Sequence, residues 1–185
     1  VTRLAAGLAG RGVGHGDRVA VLARNSHGFA ALRFALARLG AVIVPINYML
    51  NPNEVKYILD HSGASWLCVD TELAPVGREA AVGTAVKGQV WLPSEGPSEP
   101  VADALNFDAL LLDAPPPERE LDGRQVAQII YTSGTESAPK GAMLTHEAVI
   151  AEYVTCLVDA EIGENDRLLH ALPLYHCAQL DAFFG

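Results

Sequence analysis

The sequence predicts an α/β fold with a parallel-rich sheet and flanking helices, and three observations predict it. Short, nearly unbroken apolar runs recur at Asp17-Arg-Val-Ala-Val-Leu22, Ala41-Val-Ile-Val-Pro-Ile46 and Ser65 to Asp70. Stretches of ten or more residues with apolar side chains at helical spacing lie between them, and Gly, Asn and Pro punctuate the junctions. Strands joined in this way are parallel and covered on both faces, so they read as apolar throughout.

Taken in order, Leu4, Ala5, Leu8 and Ala9 recur at helical spacing, and Gly10 and Gly12 end that helix. No capping residue precedes it, which predicts further sequence upstream. Gly10-Arg-Gly-Val-Gly-His-Gly16 fits Gly-x-Gly-x-x-Gly in neither register and precedes a strand, so it reads as a connecting loop. After the first strand, Asn25 or Ser26 can cap a helix to Leu39 whose core face is Phe29, Leu32, Leu36 and Leu39; Gly40 stops it. The second strand is followed by Asn51 as a cap, with Pro52 at the first position of a helix ending near His61. Thr71 to Val86 reads as a helix weakened by Pro75, Gly77 and Gly83, and Gln89 to Leu92 as a strand. From Pro93 to Arg119 the chain is rich in proline and acids, interrupted by a helix-like Asp103 to Leu112; it is expected to be a surface excursion. Thr145 can cap a helix from His146 to about Val158, and Arg167 to Leu172 reads as a strand leading into Pro173-Leu-Tyr-His-Cys177.

The most informative stretch is Ile129-Ile-Tyr-Thr-Ser-Gly-Thr-Glu-Ser-Ala-Pro-Lys-Gly-Ala-Met143. Gln125 to Tyr131 has strand composition, the polar cluster after it is a loop, and Ala142-Met143-Leu144 starts a second strand. Three hydroxyls (Thr132, Ser133, Thr135), Gly134 and the ammonium of Lys140 provide what a polyphosphate requires: donors, a close main chain and a mobile positive charge. The P-loop of nucleotide triphosphatases is excluded. Counting from Gly134, Pro139 stands where its second glycine belongs, Gly141 stands where its magnesium-binding hydroxyl belongs, and a strand follows in place of a helix. The plainer alternative is a hairpin loop made of ordinary turn residues.

Tyr131 to Gly141, followed by Met143-Leu-Thr-His146, closely resembles the phosphate-binding signature of the adenylate-forming superfamily of acyl-CoA synthetases, aryl-CoA ligases, luciferases and peptide-synthetase adenylation domains. The usual family form is Thr-Ser-Gly-Thr-Thr-Gly-x-Pro-Lys-Gly, from which this chain departs at Glu136 and Ser137. A carboxylate beside a triphosphate is repulsive unless it faces solvent or a cation. Gly16-Asp-Arg-Val-Ala-Val with Asn25-Ser26, and Gly40 to Asn47, look like the family's first core strands, while Ala171-Leu-Pro-Leu-Tyr-His176 resembles its substrate-side motif.

The resemblance implies a two-step ligation. ATP and a carboxylic acid, expected to be a fatty acid, form an acyl-adenylate and pyrophosphate; a thiol, usually coenzyme A, then displaces AMP. It also implies roles. Thr132, Ser133, Gly134, Thr135, Lys140 and Gly141 match the phosphate holders, Thr132 a magnesium-binding position, and His176 the histidine beside the substrate carboxylate, with Tyr175 shaping the pocket wall. Lys140 and His176 are the expected catalytic residues. On this reading residues 1–185 are a partial N-terminal AMP-binding domain, part of the family's large domain, and the small C-terminal domain with its catalytic lysine is absent; the fragment alone is expected to be inactive. Two other readings stay open: a non-catalytic nucleotide- or partner-binding relative, favoured by Glu136 and Ser137, and an amino-acid adenylation domain, for which Asp181 is the nearby candidate to meet a substrate amine.

Composition bounds these readings. Half of the 185 residues are hydrophobic, sufficient for a substantial core, and the net charge of −9 argues against non-specific binding to nucleic acid. Cys68, Cys156 and Cys177 are odd in number and widely spaced, which favours reduced thiols and a cytoplasmic protein. No apolar run approaches the roughly 20 residues needed to span a bilayer. His170, His176 and Cys177 could suggest zinc but lack a paired motif elsewhere. His146, His15, His27 and His61 read as structural or loop residues. A partly built sheet is expected to favour self-association, so a homo-oligomer is one expectation.

Overall fold

β1 (Arg18–Leu22) forms the middle of a seven-stranded sheet in a computed structural model that describes residues 1–94, 98–132 and 138–182. On one side lie β3 (Trp66–Val69), β4 (Gln89–Trp91) and β5 (Leu105–Asn106). On the other lie β2 (Val42–Pro45), β6 (Val126–Thr132) and β7 (Lys140–Thr145). Every neighbouring pair is parallel except the β6–β7 hairpin. The expected α/β class and parallel-rich sheet are therefore observed.

The chain steps from β1 to β2 in one direction and returns past β1 to reach β3. Right-handed crossovers then put α2 (His27–Leu39) and α3 (Pro52–Ser62) on opposite faces. The core divides accordingly. Val19 and Val21 of β1 pack with Leu32 and Leu36 of α2 and with Leu4 and Leu8 of α1 (Thr2–Gly10). Ala20 and Leu22 pack with Val55, Ile58 and Leu59 of α3 and with Ala74 and Ala80 of α4 (Ala74–Ala80). Both sides of β1 thus bury apolar area, at about 1.5–3 kcal/mol for each large side chain, which is why the strand lacks alternation.

Local chemistry sets the helix ends. Ser26 caps α2 by accepting from Phe29 N–H at 3.1 Å, leaving the Asn25 side chain for other work. Gly40 terminates α2 in the left-handed region at φ 67°. Asn51 and Glu54 form a reciprocal capping box at the start of α3, with Pro52 in its first turn. Thr145 accepts from Ala148 N–H at 3.2 Å and starts α5 (His146–Asp159), which exposes Ile150, Val154 and Val158.

Three expected elements differ. The helix expected over Thr71 to Val86 shrinks to α4, bounded by Pro75 near its start and by Gly83 at φ 74° beyond its end. The helix expected over Asp103 to Leu112 is replaced by β5 and a 3-10 turn at Phe107–Leu110, because Asn106 caps Asp108 N–H at 2.9 Å and starts the turn there. Phe107 and Leu110, spaced for a helix, serve the 3-10 turn equally and are buried with α1. The approach is close: a Cβ at Gly7 would lie 1.8 Å from the Leu110 carbonyl oxygen. Arg167 to Leu172 is not a strand, and Leu169 is 91% exposed. Leu172 instead satisfies its backbone through side chains, giving its N–H to Gln179 Oε1 at 2.9 Å and accepting from Asn25 Nδ2 at 2.8 Å.

Candidate active site

The carboxyl ends of β1, β2, β3 and β6 open on one edge of the sheet, and the chain leaves β1 and β2 towards opposite faces. An open α/β sheet offers its ligand crevice at such a place. Thr132 is the last residue of β6 and Lys140 the first of β7; they are paired across the hairpin and both are exposed. They flank residues 133–137, so the expected phosphate holders Ser133, Gly134 and Thr135, and the departures Glu136 and Ser137, lie outside the described residues. Gly141 pairs with Tyr131, and a Cβ there would meet Ile129 Cγ2 at 2.8 Å and Tyr131 Cζ at 3.2 Å. A side chain would therefore push Tyr131 away from the hairpin, a packing reason for glycine beside its expected phosphate role.

Helix α3 holds both stems of this loop. Tyr57 Oη donates to the Pro139 carbonyl at 3.1 Å, and His61 Nδ1 is hydrogen-bonded to Tyr131 Oη at 2.7 Å. The Tyr57 and His61 rings stack at 5.4 Å with an interplanar angle of 20°, as residues four apart on one helix face can. Partial burial and the neighbouring Tyr57 raise the Tyr131 phenol above its ordinary pKa, so it remains a neutral hydrogen-bonding group. His61 is thus more than a helix-end residue.

Thr132, Pro139, Tyr175 and His176 line one cavity of about 380 Å³, whose remaining wall includes Pro45, Leu50, Ile58 and Ile130. Of the expected phosphate residues Thr132 therefore meets the expected substrate residues Tyr175 and His176, 43 and 44 positions away, whereas Lys140 and Gly141 do not line this cavity. His176 caps α6 (Cys177–Leu180) by accepting from Ala178 N–H at its Nδ1 over 3.2 Å. An Nδ1 that accepts must be unprotonated, so the proton of neutral His176 is on Nε2, which becomes a donor. The Tyr175 ring meets Tyr48 edge-on at 5.1 Å. Tyr48 belongs to a neighbouring polar cavity of about 310 Å³ with Arg24, Asn25, Asp70 and Glu72.

Two polar devices that sequence reasoning missed hold the Tyr175-His176 segment. Asn25 grips it upstream, donating to Leu172 and accepting from Leu174 N–H at 2.7 Å. Downstream, Asp181 accepts from Arg33 at 2.8 Å and from Gln128 at 2.7 Å, in an interior where Arg33 also bonds Tyr153. Arg33 on the apolar face of a helix and Gln128 in an apolar strand were the available signals, since such residues are rarely buried without partners. Asp181 is 2% exposed and already paired with the Arg33 guanidinium, so it is unsuited to meeting a substrate amine. His170 is held by Gln179 at 2.5 Å. Among the described residues there is no group of three His, Cys, Asp or Glu suited to a metal ion, and no helix is long and apolar enough to cross a membrane.

The model of the AMP-binding enzyme family matches residues 1–185. The chain belongs to that family. The chain is 36% identical over 180 residues to the feruloyl-CoA synthase of an Amycolatopsis species, covering 97% of the chain and 33% of the relative. It is 36% identical over 175 residues to the long-chain-fatty-acid–CoA ligase FadD13 of Mycobacterium tuberculosis, covering 94% and 33%. ATP-bound MatB from Rhodopseudomonas palustris superposes with a TM-score of 0.82 at 27% identity, over 96% of this chain and 34% of that one. The chain thus spans about a third of the length of the curated relatives it matches.

Proposed function

We propose that this chain is the phosphate-binding part of an AMP-forming acid–thiol ligase, which activates an apolar carboxylic acid, a fatty acid in our reading, and passes the acyl group to coenzyme A. The observation that carries the proposal is the meeting of Thr132, the Pro139 stem and Tyr175-His176 in one cavity at the carboxyl edge of a parallel sheet. The family match and the CoA-ligase relatives support the same reading.

The roles join the positions of Thr132, Lys140, Tyr175 and His176 to the family motif, and for residues 133–135 they rest on the motif alone. Thr132 and Lys140 sit side by side at the mouth of the loop, where a hydroxyl and an ammonium can contact the β and γ phosphates as charge develops on departing pyrophosphate. Ser133, Gly134, Thr135 and Gly141 complete the phosphate-holding set. Mg²⁺ bound with ATP would neutralise phosphate charge, and Thr132 would supply it a hydroxyl. His176 Nε2–H donates to the acid's carboxylate and fixes its attacking oxygen towards the α phosphorus, so positioning supplies much of the acceleration. The apolar wall of Pro45, Leu50, Ile58 and Ile130, with Tyr175 beside it, suits the hydrocarbon near the carboxyl group.

Residues 1–185 form part of an N-terminal AMP-binding domain in this reading, and a C-terminal domain supplies the remaining machinery in the whole protein. Free cysteines support a cytoplasmic location. The exposed apolar residues of α5 support self-association of the isolated chain into a homo-oligomer. The committed Asp181 tells against activation of an amino acid.

The test is acid-dependent exchange of pyrophosphate into ATP by the full-length protein, followed by acyl-CoA formation. Exchange with fatty acids and acyl transfer to coenzyme A are expected. No exchange with any fatty, aryl or amino acid would leave the non-catalytic reading standing, and exchange with amino acids alone would favour carrier-protein loading.

A further inference from the structure

We infer that Asn25, which lies between β1 and α2, is a positioning residue for the acid-activation step, acting through Tyr175-His176. The inference rests on the functional reading above. Its side-chain amide makes a two-point bridge across 147 and 149 residues of chain: Nδ2 donates to the Leu172 carbonyl at 2.8 Å, and Oδ1 accepts from Leu174 N–H at 2.7 Å. This copies the pairing that a neighbouring strand would offer, at a place where no strand lies among the described residues and where Pro173 has no N–H to give.

The chemistry requires an amide. The two groups are met by two separate atoms, which the single shorter hydroxyl of serine would have to reach at once, and aspartate would set an acceptor against the Leu172 carbonyl. Ser26 takes over the capping of α2, so the Asn25 side chain is not needed by its own helix. The grip also has leverage. Leu174 is buried beside Pro173 and Tyr175, and His176 follows at once; Asp181 holds the far end, and Gln179 reaches back to the Leu172 N–H, leaving the Leu172 carbonyl and Leu174 N–H to Asn25. A rigid β1 end thereby determines where the Tyr175 ring and His176 Nε2 stand relative to Thr132. Released at Asn25, the segment stays attached at Asp181 and at the Gln179–Leu172 bond, but Pro173 to His176 loses the Leu174 anchor that sets its position in the cavity wall.

The experiment uses the full-length protein with the substitutions Asn25→Ala, Asn25→Asp, His176→Ala and the Asn25→Ala/His176→Ala pair, and reads fatty-acid-dependent pyrophosphate exchange. Loss of position in Asn25→Ala should lower kcat/KM for the acid about 10- to 100-fold while the KM for ATP stays unmoved. That loss should nearly vanish in the His176→Ala background, because a residue acting through another has nothing left to position. The Asn25→Asp defect, taken relative to the unsubstituted enzyme, should shrink as pH falls towards about 4, where a protonated carboxyl regains a donor for the Leu172 carbonyl. Additive losses, or an equal change in the KM for ATP, would reduce Asn25 to a fold residue and overturn the inference. If Asn25→Ala does not fold, a pH-independent Asn25→Asp defect overturns it instead. An unsubstituted enzyme with no acid-dependent exchange, or a His176→Ala variant without effect, would sink the functional reading and this role with it.

Discussion

Arg33 and Asp181 form an ion pair of 2.8 Å with side chains 5% and 3% exposed, joining α2 to the segment that follows His176. Gln128 donates to the same Asp181 oxygen, so β6 is tied into the pair. Removing one partner strands a buried charge and should cost about 3–5 kcal/mol, whereas replacing the pair by apolar residues of similar volume should cost less, about the 1–3 kcal/mol of the Gln128 amide left without its acceptor. Asp181→Ala against Arg33→Met/Asp181→Leu, compared by denaturant unfolding, makes the distinction. A cost below 1 kcal/mol for the single substitution would show that the interior reaches solvent.

Thr132 and Lys140 are adjacent across the hairpin and exposed, and Thr132 lines the cavity. In the full-length protein Thr132→Ala and Lys140→Ala should each weaken adenylation by about 1.5–3 kcal/mol, the usual worth of a hydrogen bond to a charged group. Pyrophosphate exchange is the direct measurement, and unchanged rates in both variants would remove the phosphate assignment.

The hydroxyl of Tyr57 reaches the Pro139 carbonyl while its ring packs on His61. Tyr57→Phe keeps the stack and deletes the hydrogen bond, a change of about 1 kcal/mol. The expected result is a higher KM for ATP with an almost unchanged KM for the acid, since the bond steadies a loop stem. Steady-state kinetics that move both constants alike would place Tyr57 in general packing.

Burial pushes the Cys68 thiol up to about 12. It lies in β3, fully enclosed, while Cys177 is exposed at the start of α6. A thiol reagent at neutral pH should label Cys177 quickly and leave Cys68 unmodified until denaturant is added. Mass mapping of the labelled peptides checks this, and rapid native labelling of Cys68 would mean that β3 opens readily.

The sequence by itself determined the α/β class, the succession of the inner strands and helices, the Asn51 and Thr145 caps and the strand–loop–strand frame of the Thr132 to Gly141 motif, and it narrowed the α2 cap to Asn25 or Ser26, between which the structure chose Ser26. Those features depend on neighbouring residues, through backbone preference, capping and the unbroken apolarity of doubly covered strands. Where local signals were met by distant partners, tertiary structure decided. Arg167 to Leu172 has the composition of a strand but takes its hydrogen bonds from Asn25 and Gln179. Leu105 to Leu110 has helical spacing, yet pairing with β4 and the Asn106 cap turn it into a sheet edge and a 3-10 turn. The meeting of His176 with Thr132, the grip of Asn25 on Leu172 and Leu174, and the burial of Arg33 against Asp181 involve separations of 44 to 149 residues. Such contacts leave no periodic trace along the chain, because each is selected by the order in which strands join the sheet.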